Sequence, residues 1–66
     1  MRNRVEEFRE RLGLKQKDLA VIIGVTQPTI SNIESGKKIP SVELAIYISR
    51  ALDSTVEELF IVPESE

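Results

Sequence analysis

Residues 16–35 read QKDLAVIIGVTQPTISNIES, and the rest of the chain is expected to support this stretch. Its apolar residues recur every three or four positions on both sides of Gly24, which predicts two short helices. Glycine adopts a positive φ at little steric cost, so Gly24 can reverse the chain between them. Two helices that cross at a steep angle need a small residue at their contact, and Ala20 is expected there. The apolar residues of the pair that are expected to face inward are Leu19, Ala20, Ile23, Val25, Ile30 and Ile33.

This stretch resembles the helix-turn-helix of the phage-repressor (Cro/CI-like, or XRE) family, and the resemblance extends over roughly Val5 to Phe60. It implies an all-α, five-helix DNA-binding domain of the lambda-repressor type, with residues 1–66 as a single domain and the motif at 16–35. The same layout allows a small two-stranded sheet between the N- and C-terminal segments. Further matching positions are Arg9, Leu12, Gly13, Leu14, Glu34, Gly36, Pro40, Ser41, Leu44 and Ala45.

The composition limits the chemistry that the chain can perform. Its 66 residues include no cysteine and no histidine, which excludes a disulfide framework and leaves no thiolate or imidazole ligand for zinc. The serines have no evident base to activate them, and no glycine-rich phosphate loop occurs. We therefore expect no metal, no cofactor and no enzymatic activity.

The sequence shows no sign of a membrane or export segment. The N-terminal residues MRNRVEEFRER are charged and lack the apolar stretch of a signal peptide. The longest apolar stretch, residues 19–25, is interrupted by Gly24 and is far too short to span a bilayer. We expect a cytoplasmic, nucleoid-associated protein with no membrane partner.

The charges are distributed unevenly along the chain. Residues 1–38 hold eight Lys or Arg against five Asp or Glu, a net charge of +3. Residues 39–66 hold one against six, a net charge of −5. Although the whole chain is acidic at −2, the half that carries the motif is basic, as a nucleic-acid partner requires.

The first helix is predicted to begin after Asn3, a favourable N-cap residue, with Glu6 as its capping-box partner. Gly13 is expected to end it at the C′ position. Its inner stripe is expected to hold Val5, Phe8 and Leu12.

The two helices of the motif are expected from about Lys15 to Ile23 and from Gln27 to Glu34. Thr26 can cap the second of them. The first has Lys15 where the resembling family has Ser or Thr, so this start is expected to be weaker by about 1 kcal/mol.

Two more helices are predicted after the motif. Ser41 caps the fourth, and Thr55 with Glu58 forms a capping box for the fifth. The final apolar run, residues 60–62, is expected to pair with residues 1–3. The inner residues of these helices are expected to be Leu44, Ala45, Ile48, Leu52, Val56 and Leu59.

The outward face of the third helix carries Ser31 and Asn32, with Gln27 and Pro28 in its first turn. In the resembling family the start of this helix enters the major groove, which implies that these four residues contact bases. A Gln or Asn amide can donate and accept in one plane, as the N6 and N7 edge of adenine requires. Alternatively, Gln27 and Asn32 are ordinary solvated residues. Pro28 either packs against a thymine methyl or only fixes the helix start.

The same resemblance implies phosphate contacts on both sides of the reading face, together with backbone N–H groups at the starts of helices two and three. For the two lysines among them, a solvated loop is the alternative. Arg9 and Glu34 are expected to form a partly buried structural ion pair. The phosphate-contacting set is Gln16, Thr26, Thr29, Lys37 and Lys38.

The resemblance implies a sequence-specific DNA-binding transcriptional regulator, expected to repress as a homodimer on a palindromic operator. Two recognition helices about 34 Å apart would then read the two half-sites. Dimerisation is expected to involve residues 53–63. Val21 and Ile22, on the usually polar side of helix two, have no assigned role. The expected interface residues are Ile39, Val56, Phe60, Ile61 and Val62.

Two alternatives keep the same fold. One is an antitoxin or restriction-system controller. The other is a protein-interaction module that has lost DNA binding, which the acidic net charge favours and the presence of Gln16, Gln27, Asn32 and Lys37 disfavours. Any protein partner beyond a second copy is unknown from the sequence.

Overall fold

A computed structural model describes residues 2–60 and confirms the all-α, five-helix fold. Within that range, β structure is limited to an isolated antiparallel bridge between Asn3 and Phe60. No helix of the described part has the length and apolar character needed to cross a membrane. The helices are α1 (Val5–Arg11), α2 (Gln16–Ile23), α3 (Gln27–Glu34), α4 (Val42–Ala51) and α5 (Val56–Leu59).

The core is built from the predicted inner faces of all five helices. Burying these side chains is the main favourable term for a chain this short, since each large aliphatic residue contributes roughly 1.5–3 kcal/mol. Partly buried Phe8, Leu14, Val25, Leu44 and Val56 pack around the centre. The buried apolar residues are Val5, Leu19, Ala20, Ile30, Ile33, Ala45, Ile48, Leu52, Leu59 and Phe60.

The turn between α2 and α3 forms as predicted. Gly24 has φ of +80°, and its N–H donates to the carbonyl of Ala20 over 2.9 Å. A Cβ at this position would meet no atom within 4 Å, so the turn requires glycine for its backbone conformation and not for space. Ala20 is buried between the helices, 3% exposed.

The prediction that Leu12 lies on the inner stripe of α1 is wrong, since its side chain is 50% exposed. The helix ends at Arg11, and Gly13 reverses the chain with φ of +72°. Leu12 is therefore the C-cap and no longer follows the helical spacing of Val5 and Phe8. Leu14, beyond the turn, packs against the core instead.

The start of α1 also differs from prediction. Arg4 is the N-cap, so Glu6 stands at the second helical position and the predicted capping box with Asn3 does not form. Asn3 nevertheless binds the helix, because its Oδ1 accepts from the N–H of Val5 over 3.1 Å. Its Nδ2 donates to the carbonyl of Ile33 over 2.8 Å, which joins the N-terminus to α3.

The starts of the other helices agree with the sequence. Thr26 and Ser41 accept N–H groups three residues ahead, at 3.4 and 3.1 Å. Thr55 and Glu58 form both halves of a capping box, at 3.1 and 2.8 Å. At α2, Lys15 occupies the N-cap position and its ammonium cannot accept a hydrogen bond.

The C-terminal segment returns to the N-terminus as far as the structure describes it. The N–H of Arg4 donates to the carbonyl of Leu59 over 2.7 Å, next to the Asn3–Phe60 bridge. The predicted pairing of residues 60–62 with residues 1–3 is thus present at one position. Met1, Ile61 and Val62 lie outside the described residues.

Candidate nucleic-acid interface

The outward face of α3 presents the four residues that the sequence assigned to base contacts. Ile30 and Ile33 are fully buried and fix the orientation of the helix. The opposite face is therefore turned to solvent. Gln27, Pro28, Ser31 and Asn32 are all exposed on it.

A buried ion pair joins Arg9 of α1 to Glu34, the last residue of α3. The Nε of Arg9 donates to Glu34 over 2.7 Å and one terminal nitrogen donates over 3.2 Å, with the two side chains 8% and 4% exposed. Arg9 also donates to the carbonyl of Leu14 over 2.7 Å. The hydrogen bond from Arg9 to Glu34 raises the pKa of the guanidinium above its ordinary value. Each side chain of the pair thus has hydrogen-bond partners where an unpaired charge would be costly.

The ion pair continues into two glutamines at the surface. Gln16 Nε2 donates to Glu34 Oε1 over 3.0 Å, and Gln27 Nε2 donates to Gln16 Oε1 over 3.4 Å. These bonds connect α2 to both ends of α3. The sequence assigned Gln16 and Gln27 to different contacts and did not predict that they touch.

The residues assigned to phosphate lie at both ends of α3. Thr26 and Thr29 share a hydrogen bond of 2.9 Å between their hydroxyls at its start. At its far end, the N–H of Lys38 donates to the carbonyl of Asn32 over 3.0 Å and fixes the exposed loop that carries Lys37. Gln16 lies at the first position of α2, beside the start of α3.

Two further lysines, which the sequence analysis did not assign to the site, border the same region. An open cleft of about 410 Å³ separates the α1–α2 turn from the start of α3. Lys15 and Lys17 bring positive charge to it, at the start of an eight-residue helix whose first N–H groups also favour anions. The positions of these two lysines around the predicted start of helix two were the sequence signal that could have indicated an anion-binding region. The cleft is lined by Arg9, Glu10, Gly13, Leu14, Lys15, Gln16, Lys17 and Gln27.

The match to a family model decides the assignment: the helix-turn-helix model covers residues 5–59. The chain belongs to the XRE-type helix-turn-helix family. Members of this family include DNA-binding transcriptional regulators, and the fold and motif described above are theirs. The α2–α3 pair is accordingly the helix-turn-helix, with α3 as its second helix.

Relatives of similar length support this assignment. An HTH-type transcriptional regulator from Archaeoglobus fulgidus is 42% identical over 66 residues, which is 100% of this chain and 94% of the relative. One from Methanothermobacter thermautotrophicus is 45% identical over 65 residues, covering 97% and 94%. YgzD from Bacillus subtilis, also named an HTH-type transcriptional regulator, is 39% identical over 64 residues, covering 97% of each chain.

Solved XRE-type structures share the fold. SinR, a master regulator for biofilm formation crystallised with DNA, has a TM-score of 0.75 and 30% identity over 80% of this chain and 86% of its own. ClgR, the clp gene regulator of Corynebacterium glutamicum, has a TM-score of 0.75 and 31% identity over 79% of this chain. The match covers 55% of the ClgR chain.

The residues assigned to a dimer interface separate into exposed and buried members. Ile39 is 65% exposed, Val56 is half-buried, and Phe60 is 9% exposed because it packs into its own core. Ile61 and Val62 lie outside the described residues. An apolar cleft of about 190 Å³ remains at this surface, lined by Ile39, Pro40, Val42, Ala45, Val56 and Phe60.

The structure explains neither of the two apolar residues that had no assigned role. Val21 is 79% exposed and Ile22 is 57% exposed on α2 of this XRE-type domain. Within residues 2–60, no three His, Cys, Asp or Glu side chains come together as a metal site.

Proposed function

We propose that this protein is a sequence-specific transcriptional repressor that inserts the start of α3 into the major groove of its operator. The observation that carries the proposal is the exposed polar face of α3, held in place by the chain of bonds from Arg9 to Gln27. The DNA complex of SinR, which shares the fold, supports it. As such, the protein acts in the cytoplasm, at the nucleoid.

The hydrogen bonds beneath Gln27 favour adenine as the base it reads. Glu34 can only accept, so it holds the amide of Gln16 with its nitrogen inward and its oxygen toward Gln27. Gln27 gives one Nε2 hydrogen to that oxygen and keeps the other hydrogen and its own oxygen. One donor and one acceptor in a plane match N7 and N6 of adenine.

Phosphate contacts then position α3 from both sides. At its start, the hydroxyls of Thr26 and Thr29 and backbone N–H groups in the first turns of α2 and α3 supply hydrogen-bond donors for phosphate. Lys15 and Lys17 add charge there, and Lys37 and Lys38 add charge at the far end. These contacts carry affinity and salt dependence, whereas sequence preference comes from α3.

A single short helix reads too few base pairs for a useful preference, so the repressor is proposed to bind as a homodimer on a palindrome. The apolar cleft beside Ile39 and Val56 is the proposed interface. Its residues belong to the acidic part of the chain, which DNA would repel. The interface therefore leaves α3 free for the operator.

Selection of bound sites from random duplex DNA tests the proposal. We expect a palindromic consensus. Asn32→Ala should lose roughly 1–3 kcal/mol of binding free energy on the selected operator and should weaken the base preference at one base pair in each half-site. Glu6→Ala, an exposed change on α1 outside the proposed DNA and dimer surfaces, serves as the control and should leave binding unchanged. Equal losses on operator and scrambled DNA would remove Asn32 from sequence readout. Absence of salt-dependent duplex binding would favour the protein-interaction module.

Ile39→Asp tests the dimer with little risk to the fold, because Ile39 is 65% exposed whereas Phe60 belongs to the core. A charge buried in the cleft should convert the dimer into a folded monomer in sedimentation equilibrium at micromolar concentration. The matched control is Val21→Asp, which places the same charge on a similarly exposed apolar residue of α2. If Ile39→Asp stays dimeric and Val21→Asp dissociates, the interface lies on α2.

A further inference from the structure

The outer face of α4 carries a stripe of four residues, Glu43, Ile46, Tyr47 and Arg50, which we name the α4 stripe. Ile46 is 37% exposed and Tyr47 is 45% exposed, and both charged residues are exposed. Seven residues make about two turns, so Glu43 and Arg50 lie within ~20° of one line and ~10.5 Å apart along the axis. Ile46 and Tyr47 stand between them, one on each side of that line.

The charges at the ends of the α4 stripe have no opposite partner within the described residues. The guanidinium of Arg50 makes no hydrogen bond or ion pair with any residue of 2–60, and Glu43 receives only a 3.4 Å hydrogen bond from the Tyr47 hydroxyl. Arg50 is also the one Lys or Arg in residues 39–66, beside six carboxylates. Glu43 and Arg50 are too far apart on the helix to pair with each other.

We propose that the α4 stripe is a second self-association surface, which binds the same stripe of another copy across a two-fold axis. When two such helices lie antiparallel, Glu43 of each copy faces Arg50 of the other, and Ile46 and Tyr47 pack at the axis. A surface with opposite charges at equal distances from an apolar centre is complementary to itself, as a two-fold interface requires. The proposal goes beyond the proposed function, because it adds a contact outside the cleft at Ile39.

An open depression next to the α4 stripe enlarges the apolar part of this surface. It has a volume of about 410 Å³, and Ile22 and Tyr47 are among the residues at its border. It lies on the α2 side of α4, whereas the cleft at Ile39 and Val42 lies on the α5 side. The two openings therefore lie on different sides of α4.

The size of the α4 stripe indicates a weak contact. Stable interfaces use roughly 20–30 residues a side, far more than this stripe and its border provide. A weak contact becomes effective when DNA holds two dimers at neighbouring operators, because the local concentration of each is then high. The inferred role is cooperative binding of adjacent dimers.

A different explanation assigns the same charges to the helix alone. Glu43 is in the first turn of α4 and Arg50 in the last, where each complements the helix dipole. Exchanging both charges would then destabilise α4 more than exchanging either one, since both changes oppose the helix dipole. In the two-fold contact, by contrast, the double exchange restores two opposite pairs, because each introduced arginine faces an introduced glutamate of the other copy.

The test is a charge-swap cycle in the Ile39→Asp background, which reduces association through the cleft. Sedimentation equilibrium and NMR dilution from about 1 mM measure the self-association of four chains, a concentration suited to weak contacts. These are the Ile39→Asp chain itself, the chains with Glu43→Arg or Arg50→Glu added, and the chain with both. Glu6→Arg, in the first turn of α1, is the matched control for charge and helix position.

We expect each single swap to weaken association about tenfold or more, and the double swap to recover it. Circular dichroism confirms that α4 stays folded in each variant. No measurable association of the starting chain, unchanged association in the single swaps, or a double swap weaker than both would overturn the proposal. The experiment uses no DNA, so its outcome is independent of whether α3 reads an operator.

Discussion

Arg9 and Glu34 meet in the interior although 25 residues separate them in the chain. Their pairing could be predicted, because both positions belong to the pattern of the resembling family. The connection from Glu34 through Gln16 to Gln27 could not, since it depends on how closely the ends of α2 and α3 approach. The spacing of residues in the sequence predicts which helix face a residue occupies. It does not predict which polar atoms of different helices come within hydrogen-bond distance.

The ion pair is expected to behave as a unit when it is mutated. Arg9→Met or Glu34→Met leaves one buried charge without its partner, which costs roughly 3–5 kcal/mol, a large part of the stability of so small a domain. Removing both charges should cost clearly less than the sum of the two single losses. Urea denaturation of the four chains measures this coupling.

The exposed pair Glu7 and Arg11, 2.6 Å apart, is the control for that cycle, because solvent-exposed pairs contribute little. Additive losses for Arg9→Met and Glu34→Met would contradict a coupled buried pair.

Helix boundaries were predictable where a side chain caps its own helix. The capping hydrogen bonds of Ser41 and of the Thr55–Glu58 box join residues only three apart, so the local sequence predicts them. The start of α1 was not predictable in the same way. There Asn3 bonds to Val5 and also to the carbonyl of Ile33, a tertiary contact, and the first helical residue is one position later than predicted.

Helix α2 offers a stabilising substitution. The carboxylate of Asp18 already accepts from the N–H of Lys15 over 2.8 Å, which is one half of a capping box. Lys15→Ser would supply the other half, so unfolding should become less favourable by about 0.5–1 kcal/mol. Thermal denaturation of Lys15→Ser measures the gain.

Lys17→Ser is the comparison, because it removes the same charge inside the first turn of α2, where serine cannot cap. If both variants gain equally, the effect comes from the lost charge and not from the cap.

At the scale of the whole molecule, the uneven distribution of charge could be predicted from the sequence, whereas the burial of individual apolar residues could not. Counting charges separated the basic part that carries the motif from the acidic part that follows it. Apolar spacing did not show that Phe60 would be buried while Ile39 stays 65% exposed. Both residues are apolar and lie outside long helices, so their burial depends on how the five helices pack.

The salt dependence of operator binding shows whether one or two subunits contact the DNA. Each Lys–phosphate contact contributes about 0.9 to the slope of log affinity against log salt, because binding releases condensed counterions. Lys37→Ala should therefore lower the slope by about 0.9 for a monomer and by about 1.8 for a dimer that places both Lys37 residues on one operator. Titration of a single palindromic operator between low and moderate salt at nanomolar protein measures it. Arg50→Ala removes a cation from α4, outside the proposed DNA-facing set, and should leave the slope unchanged. An unchanged slope for Lys37→Ala would remove this loop from the interface. A slope lowered by only about 0.9 would contradict symmetric binding by two copies.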